Sequence, residues 1–262
     1  KQLAGADLKE TEFKAQKGAS GTEILEFKNG AKVILKPLKS EKNKIALAAV
    51  KKGGYAHFGK ARGEILTALL NSGTIGELNE YEAGRLTSKF DYKLRFRMDD
   101  ADCGFRGAGA DLEAMTHELY ARFSEPLIHA SSLTKYKTDA LSAIALRDET
   151  AEFKFGEQIL KSLYSGDIAR KQSLSVDDVK SANLADLQRD ADEIFSGAGD
   201  FIFVLSGDFE PVRAKQILAK YIGNLKPGTS SATPKTLMLN TSSGEIVQDY
   251  GDSDKSEVRM IF

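Results

Sequence analysis

The chain has 262 residues, 41% of them hydrophobic, with 14 Phe, 8 Tyr and no Trp. That apolar supply suffices for one large domain or two small ones and excludes an intrinsically disordered protein. With 37 basic against 38 acidic residues, a global field that draws in nucleic acid or an anionic membrane is excluded too.

No stretch approaches the roughly 20 apolar residues of a membrane span. The start is polar and carries no signal-peptide core. Cys103 is the single cysteine. It excludes an intrachain disulfide and offers no metal-ligand spacing, so it reads as a small buried hydrophobe. Such cysteine usage fits cytoplasm and bacterial periplasm alike.

Residues 1–20 mix Lys, Glu, Ala and Gly without period and read as a linker. Ile24, Leu25 and Phe27 then lead through Asn29-Gly30, a two-residue turn signal, into Val33, Ile34 and Leu35, which makes a hairpin. The first 60 residues hold 13 Lys against 6 acidic residues. Lys28, Lys32, Lys36, Lys39, Lys42 and Lys44 read as the solvated, edge-protecting side of that hairpin. Ile45–Val50 is a third strand, closed by Gly53-Gly54. Ile65, Leu66, Leu69 and Leu70 fall on one stripe of a helix over 60–71, stopped at Ser72-Gly73. A short helix at 79–88 precedes two strands, 91–98 and 101–107. The first of these alternates Tyr92, Leu94, Phe96 and Met98 with Lys93, Arg95 and Arg97.

The middle is helical. Asp111 is a candidate cap for a helix over 112–124, halted near Pro126. Helices at 131–148, 153–164, 176–181 and 184–195 follow, the last two with Ser175 and Asn183 as caps. Phe201–Leu205 is a continuous apolar run, as in a strand buried on both faces or in mid-sheet. Pro211 opens a last helix that ends near Ile222-Gly223. Residues 227–243 read as a linker. Ile246–Tyr250 and Val258–Phe262 read as the first strands of a further unit, with the second cut by the end of the chain. The absence of a starting Met also reads as an excised segment. This order of strands and helices predicts an α+β fold, an antiparallel sheet with helices packed on one side.

Several phrases carry a family resemblance: EFKNGAKVIL, KKGGYAHF, a helix ending LLNSGT, SLSVDDVKSANLADLQRDADEIF and DFIFVLSGDFEPVRAKQILAKYIGNL. In this order, over residues 21–226, they resemble the repeat unit of the insulinase/pitrilysin family of zinc metallopeptidases, also called inverzincins. In that family the first repeat carries H-x-x-E-H on a helix. Its two His, four apart, face one metal, and its Glu takes a proton from the bound water. A later Glu is the third protein ligand. Aligning GEILTALLNSGT on Gly73-Thr74 puts Glu64 and Ala68 at the His positions and Thr67 at the Glu position. One carboxylate, one hydroxyl and one methyl make no zinc site. The third ligand falls near Asp139–Glu149, where acidic residues have no partners to join.

The resemblance therefore implies an inactive peptidase-like domain over 21–226, shaped as an αβ sandwich, with 244–262 beginning the next repeat. It implies no catalytic residue and no metal ligand in this chain. Zinc is implied for an N-terminal catalytic half of the same polypeptide, or for a partner subunit. The domain then helps to enclose a peptide substrate. The family's substrate-positioning Arg and Tyr belong to a further repeat beyond Phe262. A scaffold or regulatory subunit without catalysis is the alternative. Family habit favours bacterial periplasm or cell envelope over cytoplasm.

Other patterns point to less. Thr116-His117-Glu118 starts like H-E-x-x-H, but Ala121 stands where the second His is needed. His57 and His129 are isolated in sequence. Gly104, Gly107 and Gly109 match no phosphate-binding fingerprint and read as a strand-to-helix connection. Asp99-Asp100 reads as a turn and Asp177-Asp178 as a helix start. No G-x-S-x-G elbow supports a serine triad.

Overall fold

The computed structural model describes residues 2–165, 171–229, 238–240, 244–249, 256 and 258–261. Strands β1 (Phe13–Lys17), β2 (Glu23–Phe27), β3 (Lys32–Pro37), β4 (Ile45–Lys52), β5 (Tyr92–Met98), β6 (Asp102–Gly109) and β8 (Ile202–Gly207) form one sheet, ordered β1-β2-β3-β8-β4-β6-β5. Every neighbouring pair is antiparallel except β3 with β8. The two-residue strands β7 (Tyr164–Ser165) and β9 (Met238–Leu239) pair separately. The helices are α1 (Gly54–Phe58), α2 (Lys60–Leu70), α3 (Glu80–Thr87), α4 (Leu112–Ser124) and α5 (Ala130–Asp148), then α6 (Ala151–Leu163), α7 (Val176–Ser181), α8 (Leu184–Ile194) and α9 (Pro211–Tyr221).

Strand alternation decides which face is covered. Across the sheet, Leu25 faces Val33, Val33 faces Phe203, Phe203 faces Ala49, Ala49 faces Phe105 and Phe105 faces Phe96. All six are buried. They share one core with Leu66 and Leu69 of α2, Met115 and Leu119 of α4, Ala191 and Ile194 of α8 and Leu218 of α9. Phe195, just after α8, stacks on Phe105 at 5.5 Å and meets Phe123 edge-on at 5.2 Å. Each such ring contributes about 1.5–3 kcal/mol by leaving water. The result is the expected α+β arrangement, with helices covering one face of a mostly antiparallel sheet. On the other face the side chains are half-buried or exposed.

Several local expectations are corrected. Within the stretch 1–20, Phe13–Lys17 is not linker but the edge strand β1, paired to β2. The Thr11 amide reaches the Ala219 carbonyl at 3.2 Å, and Lys9 offers its carbonyl to Asn224 at 2.8 Å. A segment without its own hydrophobic period is thus held by backbone pairing, which composition does not reveal. The hairpin turn is a three-residue loop. The Phe27 amide bonds the Ala31 carbonyl, and only Gly30, at φ 91°, takes the left-handed region. Asn29 keeps a negative φ and instead donates to the carbonyls of Ile222 and Leu225 at 2.8 and 3.0 Å.

Asp111 precedes α4 but forms no side-chain cap; its carboxylate accepts from the Asp91 amide. Ser175 and Asn183 do cap α7 and α8. Strand β8 lies in mid-sheet between β3 and β4, yet it is covered on one face only, since Ile202 is 53% exposed. Helix α1 was not anticipated from the glycines around it. Of the two expected late strands, residues 246–249 and 258–261 take no strand conformation, and Tyr250 and Phe262 lie outside the described residues.

Candidate functional site

Helix α2 is the element to test, because it carries Glu64, Thr67 and Ala68. It follows α1 after Gly59, whose φ of 82° lets the chain turn sharply between the two helices. Gly63 permits close packing: a Cβ there would stand 2.5 Å from the Tyr55 ring and 2.6 Å from the Met98 sulfur. Ile65, Leu66, Leu69 and Leu70 are buried. Glu64 points instead toward α5, α6 and the extended segment at 173–175.

Burial lifts the Glu64 carboxyl above its ordinary range, against the lowering pull of Lys60 and Arg147. Lys60 Nζ is 4.0 Å from it. Arg147, on α5, donates to the Leu174 carbonyl at 2.6 Å, and its guanidinium stacks on Phe153, 4.0 Å from the ring centroid. Lys60 also reaches Ser173 Oγ, and Glu157 of α6 accepts the Ser173 amide, both at 3.4 Å. Arg147 and Glu157 thus hold the chain's own backbone beside α2, and Lys60 holds the Ser173 side chain. The Tyr136 hydroxyl, under burial and the nearby Glu64 charge, is pushed up to about 12.

Thr67 has its hydroxyl buried without a hydrogen-bond partner. Ala68 presents a methyl. In the stretch where the resemblance puts the third ligand, Asp139 is exposed and Asp148 pairs with Arg147 at 2.8 Å. The groups that come near Glu64 from α5 are Tyr136 and Arg147. A phenol and a guanidinium do not complete a zinc ligand set. Among the described residues no group of three His, Cys, Asp or Glu is gathered as a metal ion requires. The side chains beside α2 do not fit zinc.

The three histidines do not converge. His57 Nε2 meets Glu193 Oε1 at 2.7 Å, His117 Nε2 bonds the Ala4 carbonyl at 2.9 Å and His129 Nε2 bonds the Gly76 carbonyl at 2.7 Å. His117 also stacks on Tyr221, with ring centroids 4.9 Å apart. The glycines of CGFRGAGAD are not a connection: Gly104, Gly107 and Gly109 all lie within β6. A Cβ on Gly104 would stand 1.9 Å from the Ala49 carbonyl oxygen, so close strand approach explains the glycine. Asp99 closes the expected turn, accepting the amides of Ala101 and Asp102 at 2.9 and 3.0 Å.

Sequence reading missed Asn71. At the C-terminal end of α2, its side-chain amide donates to the Phe96 carbonyl at 2.8 Å, and its Oδ1 accepts the Phe96 amide at 2.9 Å. The outer backbone edge of β5 is therefore occupied at its centre. Asn near a helix end reads as a stop signal, and nothing in the sequence pairs it with a strand 25 residues on.

No protein-family model matches the chain. The probable zinc protease PqqL of Escherichia coli (strain K12) is 23% identical over 229 residues, covering 85% of this chain and 24% of that protein. The chain thus spans about a quarter of the length of the curated relative it matches. The crystal structure of PqqL, described as a periplasmic protease, superposes with a TM-score of 0.74 at 20% identity, over 90% of this chain and 26% of that one. A peptidase M16 inactive domain from Pseudomonas fluorescens superposes with a TM-score of 0.68 at 16% identity, over 83% of this chain and 54% of that one. Resemblance in sequence and agreement in fold point the same way: the chain has the fold of these peptidase domains and resembles PqqL in sequence, without an H-x-x-E-H motif of its own.

Proposed function

We propose that the chain is a non-catalytic domain of a zinc metallopeptidase, contributing to the enclosure of a peptide substrate and to packing between domains. The observation that carries this reading is the helix α2. Where the resemblance calls for two imidazoles and a general base, it has the half-buried Glu64, an orphaned Thr67 hydroxyl and the Ala68 methyl. Chemistry by activated water needs a metal held at an open position, and these three side chains cannot supply it. The fold itself is kept, so the domain retains its shape without the site. Zinc, on this reading, belongs to another part of the parent protein. The periplasmic assignment of PqqL supports a periplasmic location for this chain as well.

The test is metal analysis and a peptidase assay on the purified chain. We expect no stoichiometric zinc and no chelator-sensitive cleavage of unstructured peptides. About one tightly held zinc per chain, or cleavage abolished by a chelator, would overturn the reading.

A further inference from the structure

The uncovered face of the sheet is strongly basic at one end. Along β5, Leu94, Phe96 and Met98 are buried, so the alternate residues Lys93, Arg95 and Arg97 stand side by side on the opposite face, all exposed. The strand register sets Arg106 of β6 directly across from Arg95. Like charges opposed across two strands destabilise a sheet unless something neutralises them. Arg106 shares its charge with Asp102, at 2.7 Å. Among the described residues, Lys93, Arg95 and Arg97 form no ion pair. Since the whole chain carries a net charge of -1, this concentration of cations is a local feature.

The same face turns apolar beyond the cations. Ala48 lies opposite Arg106, Val204 opposite Ala48 and Ile34 opposite Val204. In the neighbouring row Ile202 lies opposite Val50. A ligand on this face meets cations on one flank and aliphatic side chains on the other. The backbone edge of β5 is not its way in, because Asn71 holds both polar groups of Phe96. Alternate residues of a strand are about 6.6–6.8 Å apart, the repeat of an extended peptide. A second copy of this chain does not fit, since it would set one basic strip against another. Phosphate backbones would leave the aliphatic flank unused.

We infer that this face docks an extended acidic polypeptide, with Lys93, Arg95 and Arg97 pairing its carboxylates and Val50, Ile202 and Val204 packing its apolar residues. The inference deepens the enclosing-domain reading and rests on it only for the peptide's being a substrate; binding by the chain itself does not depend on any peptidase activity.

The test is fluorescence anisotropy with a synthetic peptide alternating Glu and Val, beside counterparts in which Gln or Lys replaces Glu. The Glu peptide should bind more tightly as salt is lowered, and the Gln and Lys peptides should not bind. Arg95→Glu and Arg97→Glu should each weaken binding about tenfold, while Lys42→Glu, at an exposed position elsewhere, leaves it unchanged. Both arginines are exposed, and thermal melts would verify that the variants fold. Equal binding of the Gln peptide overturns the inference. So does unchanged binding by Arg95→Glu and Arg97→Glu, or equal affinity for duplex DNA or anionic vesicles, or a self-association that Arg95→Glu abolishes. None of these outcomes bears on the metal analysis.

Discussion

Asn71 closes the edge of the sheet at Phe96, donating to its carbonyl at 2.8 Å and accepting its amide at 2.9 Å. A side-chain amide has one donor side and one acceptor side, so it can imitate the backbone of a neighbouring strand. Strand β5 is the last in its sheet, and its unpaired groups would otherwise be a template for another chain. Asn71 also donates to the Thr67 carbonyl at 2.8 Å, so Asn71→Ala should cost about 2 kcal/mol or more through the three lost bonds. Thermal unfolding measures that loss, and size-exclusion chromatography should show new self-association. A fully stable, monomeric variant would contradict the assigned role.

The Thr67 hydroxyl is buried with no partner, a loss of hydration with nothing in return. Thr67→Val keeps the shape and removes the polar atom. We expect stability to rise by about 1 kcal/mol, read as a higher melting temperature. A marked fall would mean that the hydroxyl has a partner needed for folding.

Arg147 holds the segment beside α2 by donating to the Leu174 carbonyl at 2.6 Å. Arg147→Leu removes a charge-assisted bond and the stacking on Phe153. We expect a loss of about 1.5–3 kcal/mol. Amide exchange at Ser173 and Leu174 should accelerate before the sheet amides do, because the grip on this segment is local.

His117 gives a pH dependence of defined sign. Burial lowers its pKa below the ordinary 6.5. The unfolded chain therefore takes up the proton first as pH falls. The stabilising contribution is present above 6.5 and is lost as pH drops through the lower folded value. His117→Gln should flatten this part of a stability-versus-pH curve measured by denaturant titration. An unchanged slope would remove His117 as its source.

Much of the framework was legible. Helix α4 spans Leu112–Ser124, the stretch expected to halt near Pro126, and α7 and α8 begin at Ser175 and Asn183 because a cap is a local interaction. Strand β5 follows from strict alternation. Where interactions were long-range, reading failed. Strand β1 forms because β2 offers it an edge, and Asp111 serves the Asp91 amide instead of its own helix. Asn29 signalled a turn correctly, but the loop has three residues and the Asn29 side chain reaches the carbonyls of Ile222 and Leu225.

The sequence by itself determined that α2 lacks two histidines and a glutamate at the motif positions, since residue identity alone decides which atoms could bind a metal. It also determined which residues alternate and so which ones share a face. Only the tertiary structure decided what the remaining groups do. Glu64 is half-buried because α5, α6 and the 173–175 segment converge beside it. Arg95 and Arg106 stand opposed because the register of β5 and β6 places them so. Contacts between residues far apart in the chain depend on how elements pack, and local spacing carries no information about that.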